Sequence, residues 1–145
     1  MSVKHLIFLA SSFLLFACNP SNEQQAESAN NEPVKNHVAV YDFHTDHRCE
    51  TCLAIEKATK ETLNKHFKSQ LDDETITFAL YNADDEKNAT LAEKYTAFGT
   101  TLAITIFKDG KEEIIDITNW AFEAVHGDNF ESELKTQLTD ALEKL

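Results

Sequence analysis

Six consecutive residues, Val38-Ala39-Val40-Tyr41-Asp42-Phe43, constrain this chain more than any other stretch. Successive side chains of a strand point to opposite faces of its sheet, and here both faces are apolar apart from one acid. A strand of that kind belongs in the middle of a sheet covered on both sides. The chain therefore needs helices enough to cover two faces, and its order of elements should supply them.

It does. Residues 44–49 are polar, and from Cys49 to about Leu71 the residues Cys52, Ile55, Thr59, Leu63, Phe67 and Leu71 recur at helical spacing, which predicts one long helix. Thr75 to Tyr81 alternates as a second strand, and Asn88 to Phe98 reads as a short helix with Leu91, Tyr95 and Phe98 turned inward. Strands that alternate with helices pair in parallel through right-handed crossovers. The rhythm then changes: Leu102 to Phe107, the turn Lys108-Asp109-Gly110 and Glu112 to Ile117 form a hairpin, because Asp-Gly suits a tight turn. Thr118 to Gly127 has no clear pattern. A last helix starts at Asp128, the expected N-cap, with Glu131 three residues on as its capping partner and Phe130, Leu134, Leu138, Ala141, Leu142 and Leu145 as its buried stripe.

The domain so described is expected to span residues 37–145. Ahead of it, Lys4 and His5 precede an apolar run from Leu6 to Phe16, too short to cross a bilayer, so residues 1–17 read as an export signal. Leu15-Phe16-Ala17-Cys18 resembles the lipobox of bacterial lipoproteins, which implies cleavage before Cys18, acylation of that residue and attachment to a membrane outside the cytoplasm. Residues 18–36 then form a lipidated cysteine followed by a tether, since Asn19 to Asn36 holds no aromatic residue and a single Val. Acylating Cys18 also resolves the count of three cysteines, leaving Cys49 and Cys52 to face an oxidising compartment. A formal charge of −12 argues against nucleic acid as a partner. Only three glycines are present and no phosphate-binding loop, so no nucleotide or other cofactor is expected. A monomer is expected.

Chemistry concentrates at Arg48-Cys49-Glu50-Thr51-Cys52, where the first strand hands over to the first helix. Cysteines three apart lie on one side of a helical turn. Cys49, at the helix N-terminus, meets free backbone N–H groups that favour its thiolate, which makes it the attacking residue and Cys52, one turn in, the resolving one. Arg48 and a protonated His47 would add to that effect, and Glu50 would oppose it. The same stretch reads as His44-x-x-His47-x-Cys49-x-x-Cys52, a donor set suited to zinc or Cu(I), so metal delivery is the alternative function. A thioredoxin-shaped interaction module with an inert disulfide is a third. His126 could serve as a ligand or base but reads better as a loop residue, and Trp120, Phe122 and Tyr95 read as core rather than as the walls of a groove.

The order strand, helix, strand, helix, strand, strand, helix, with Cys-x-x-Cys at the first junction, resembles the thioredoxin fold, an α/β fold with a four-stranded mixed sheet between helices. Within it, Tyr41-Asp42-Phe43-His44, Arg48-Cys49-Glu50-Thr51-Cys52 and Ile55-Glu56 resemble the small exported thioredoxin-like proteins of the nitrophenyl-compound nitroreductase subunit ArsF family, from about His37 to the C-terminus. That resemblance implies a redox-active or electron-relaying thiol module with a thiol or disulfide protein as partner. Thioredoxins place a cis-proline opposite the disulfide just before the third strand. Here the segment is Phe98-Gly99-Thr100-Thr101-Leu102, and Thr101 takes that place. The segment from the first strand to Cys49 is one residue longer than in thioredoxins, so Asp42 reads as a strand-end residue reaching water rather than as the buried acid that moves protons in that fold.

Overall fold

A computed structural model describes residues 35–145. Residues 1–34, with the expected export signal, Cys18 and most of the tether, lie outside the described part. Four strands, β1 (His37–His44), β2 (Ile76–Asn82), β3 (Thr101–Lys108) and β4 (Lys111–Asp116), form one mixed sheet in the order β2-β1-β3-β4. β1 runs parallel to β2 and antiparallel to β3, and β3 runs antiparallel to β4. The helices are α1 (Glu50–His66), α2 (Lys68–Asp72), α3 (Ala89–Lys94), α4 (Thr118–Ala124) and α5 (Phe130–Glu143), with a 3₁₀ turn over Glu86–Asn88. This is the expected α/β arrangement, consistent with a thioredoxin-like fold.

The two apolar faces of β1 explain the layers. Val38 and Val40 join Ile55 and Leu63 of α1, Ala121 of α4, and Leu134 and Leu138 of α5 in the larger core on one face. On the other, Phe43 packs with Ala92, Tyr95 and Ala97, and Tyr41 and Tyr81 lie against them. Asp42 belongs by register to the α1 face, between Leu80 of β2 and Leu102 of β3.

Four details differ from the expectation. The first helix is two: Phe67 leaves helical geometry at φ −128°, ψ 24°, which keeps its ring in the core while α2 turns to pack on β2. α3 stops at Lys94, and Thr96 adopts φ 53°, so the periodicity slips by one. Ala97 then takes the inward place, and Phe98 is 81% exposed rather than buried. Within the stretch that had no pattern, Thr118–Ala124 forms α4, with Asp116 accepting from the Thr118 N–H ahead of it. Finally, α5 is capped by Asn129 rather than Asp128, without a side-chain cap bond. Glu131 does not fold back on the cap because its carboxylate binds Lys65 and His66 of α1. The hairpin forms as expected: Asp109 and Gly110, at φ 52° and 73°, make the two-residue turn that matches strand twist.

Candidate functional site

The parallel pairing of β1 and β2 brings their C-terminal ends together, and the segment leading to the cysteines is anchored there. The Ala83 N–H donates to His44 O at 2.7 Å, the Asp46 N–H to Asp84 Oδ2 at 2.8 Å, and Asn82 Nδ2 to Asp46 Oδ1 at 2.7 Å. Three residues later Cys49 takes the N-cap position of α1 in an extended conformation (φ −81°, ψ 161°). Its Sγ accepts the Cys52 backbone N–H at 3.0 Å. An N-cap side chain normally supplies oxygen for this bond, and sulfur does so here. The two cysteines are joined in a disulfide, their Cα atoms 5.0 Å apart. Cys49 is exposed, whereas Cys52 is only 7% exposed. The first cysteine of the pair is thus the solvent-exposed one and the second the buried one.

Beneath the pair lies a cluster of charges. Glu56, one turn after Cys52 on the same face of α1, receives Arg48 Nη2 on Oε2 and Lys60 Nζ on Oε1, each at 2.5 Å. The Arg48 and Glu56 side chains are only 21% and 15% exposed. Burial acts to raise the Glu56 carboxyl, but hydrogen bonds from Lys60 and Arg48 outweigh it and hold the group below its usual range. Asp42 is in the opposite condition. It is fully buried, so the expectation that it reaches water is overturned; the longer segment before Cys49 is taken up in the 45–48 turn, which leaves Asp42 at an inward register position. Neither of its oxygens has a hydrogen-bond partner. Burial, then the negative charge of Glu56, push its pKa up to about 7, against smaller downward pulls from Arg48 and Lys60. A carboxyl there can change its protonation near neutral pH.

Arg48 was expected to favour the Cys49 thiolate, yet its guanidinium is committed to Glu56. His44 turns Nδ1 to its neighbour's carbonyl, Thr45 O, at 3.0 Å, and His47 is exposed. Among the described residues no three His, Cys, Asp or Glu side chains converge as a metal-ligand set, and that includes His44 and His47 with the disulfide-bonded pair. Thr101 is the buried first residue of β3, paired with Phe43, and no cis peptide occurs among the described residues. Tyr95 is core as expected and bonds Thr105 Oγ1 at 2.8 Å. Trp120 stacks on Phe130, but Phe122, expected in the core, is 38% exposed, because α4 buries the face that carries Ala121.

Sequence reasoning missed two placements. His126 reaches the site, with Nε2 3.2 Å from the hydroxyl of Thr51, the residue just before Cys52. No local signal could have found this, because 75 residues separate the two. The role of Glu56 and Lys60 had a signal: they are an i, i+4 pair of opposite charge, and Glu56 is itself four residues after Cys52.

No family model matches this sequence, and no curated protein matches it. Among solved structures, one titled "Structure of a malarial protein" is similar at 18% identity and a TM-score of 0.37, over 62% of this chain and 93% of that chain.

Proposed function

We propose that this protein is a membrane-anchored, extracytoplasmic thiol:disulfide oxidoreductase or redox relay, with Cys49 as attacking and Cys52 as resolving residue. The observation that carries the reading is the asymmetry of the pair: an exposed Cys49 at a helix N-terminus, bonded to a buried Cys52. The Cys52 N–H that meets Cys49 Sγ would hold a thiolate there equally well, and a thiolate is the species that exchanges.

Acting as a reductant, the Cys49 thiolate attacks one sulfur of a partner disulfide; that bond breaks, and the partner's other sulfur leaves as a thiolate and takes a proton. Cys52 then gives up its proton, its sulfur attacks Cys49, and the bond from Cys49 to the partner breaks as the Cys49–Cys52 disulfide forms. The partner gains two electrons and two protons, and the pair loses them. Run backwards, the same steps oxidise a dithiol. Asp42, buried on the α1 face of β1 and able to bind a proton near pH 7, is suited to receive the proton of Cys52. The anchor at Cys18 and the partner class, a thiol or disulfide protein, follow from the leader and from the ArsF-like and thioredoxin-like motifs.

The test is trapping in cells. Cys52→Ala should accumulate mixed disulfides through Cys49, and Cys49→Ala should not. If neither variant traps a partner, the exchange reading is overturned.

A further inference from the structure

Among the described residues, the buried side-chain polar atoms outside hydrogen bonds are Asp42 Oδ1 and Oδ2, Arg48 Nε and Nη2, Glu56 Oε2 and Thr59 Oγ1, of which Arg48 Nη2 and Glu56 Oε2 face each other as an ion pair. Two cations and two carboxylates interact here, yet they are not shared evenly. Glu56 takes both cations, one on each oxygen, and Asp42 has neither. The neighbours of Asp42 on the flanking strands, Leu80 and Leu102, are apolar. The charged groups that act on it come from the 45–48 turn and from α1 alone: Arg48, Glu56 and Lys60.

We propose that Glu56 is a positioning residue for the proton step of the disulfide: by holding Arg48 and Lys60 on its own two oxygens it keeps both cations off Asp42, leaving that carboxyl able to take up and release one proton as the pair opens and closes. The inference rests on the exchange reading for its purpose, but the division of cations between the two carboxylates does not. With Asp42 ionised, Cys52 passes its proton to the carboxylate and its sulfur closes on Cys49, expelling the partner thiolate. With an ion pair between Arg48 and Asp42, the carboxylate would be too weak a base to accept that proton.

The experiment is a ¹³C NMR titration of the Asp42 carboxyl in the oxidised protein, for wild type, Glu56→Gln and Lys60→Met. Glu56→Gln removes one negative charge and frees both cations, so the Asp42 midpoint should fall by about 1 to 2 pH units. Lys60→Met, a change at a half-exposed side chain, leaves Glu56 less neutralised and should move the midpoint up. A midpoint unmoved or raised in Glu56→Gln overturns the proposal, as does a fall in Lys60→Met. Should Glu56→Gln not fold, Glu56→Asp takes its place: it keeps the charge but shortens the arm that holds the two cations, so the Asp42 midpoint should fall, and an unmoved or raised midpoint overturns the proposal. The reduced proteins then report the consequence: the pH midpoint for release of a mixed disulfide with 2-nitro-5-thiobenzoate by Cys52 should shift with that of Asp42. Absence of any release condemns the exchange reading while leaving the titration result standing, so the two failures are told apart.

Discussion

Replacing Asp42 by Asn should change how stability depends on pH, and the size of the change follows from the site. The carboxyl titrates near 3.8 when freely solvated and near 7 in the fold. Each unit of difference is worth 1.36 kcal/mol, so three units amount to about 4 kcal/mol at most. The folded pKa is raised, so between about pH 4 and 7 the folded chain holds a proton that the unfolded chain has lost. Stability then falls as pH rises through that window, is intact below it, and stays at its reduced level above pH 7. Glu56 has the opposite sign, since its folded pKa is lowered: it contributes stability that is lost only as pH falls below the ordinary carboxylate range. Asparagine has the shape of the acid and never ionises, although its buried amide costs about 1 to 3 kcal/mol at every pH if it finds no partner. The informative quantity is therefore the slope of the difference. Urea unfolding of the oxidised proteins at pH 4.5 and 8 should show Asp42→Asn gaining several kcal/mol on wild type between the two. Curves that stay parallel within about 1 kcal/mol, or wild type gaining on the variant, would refute the placement of Asp42 and the proton-accepting role built on it.

Further predictions concern packing, the turn and the anchor. Leu134→Ala empties a fully buried place in the larger core and should cost about 2 to 5 kcal/mol in urea unfolding. Phe98→Ser should leave stability within about 0.5 kcal/mol, since the ring is already in solvent; a large loss would return Phe98 to the core. Gly110→Ala forces a side chain into φ 73° and should cost about 1 kcal/mol, measured the same way. Cys18→Ser should move the protein from the membrane to the soluble fraction on cell fractionation, and retention in the membrane would overturn the lipid anchor.

Much of the fold was legible because apolar periodicity reports burial directly. The two-faced run of β1, the Asp109-Gly110 turn and the Leu134-Leu138 stripe each need only local rules, and each element lies within a residue or two of where those rules put it. The failures occurred where one backbone angle decides the outcome. Phe67 and Thr96 carry ordinary side chains, yet their departures from helical geometry end two helices early, and no composition signal precedes either. The place of the cysteine pair at the start of α1 was legible because spacing alone sets it. The contact of His126 with Thr51 was not, because it depends on how the segment after α4 folds back over α1.

Asp42 and Glu56 show why a polar site is harder to read than a core. Both were visible in the sequence as acids near the cysteines, and the same local rules served for both. Their fates are nonetheless opposite, one ion-paired twice and the other with no partner, because Arg48 and Lys60 project from the 45–48 turn and from α1 toward the same carboxylate. A fully buried acid with no hydrogen bond is costly, and that cost falls if the group takes a proton. The fold therefore keeps at Asp42, on the α1 face of β1, a carboxyl that is cheapest when neutral. Selection for stability alone would favour an apolar residue at this position, as Val38 and Val40 are on the same face of β1. An acid at this position costs stability above about pH 4, and the proposed proton transfer would give that cost a use.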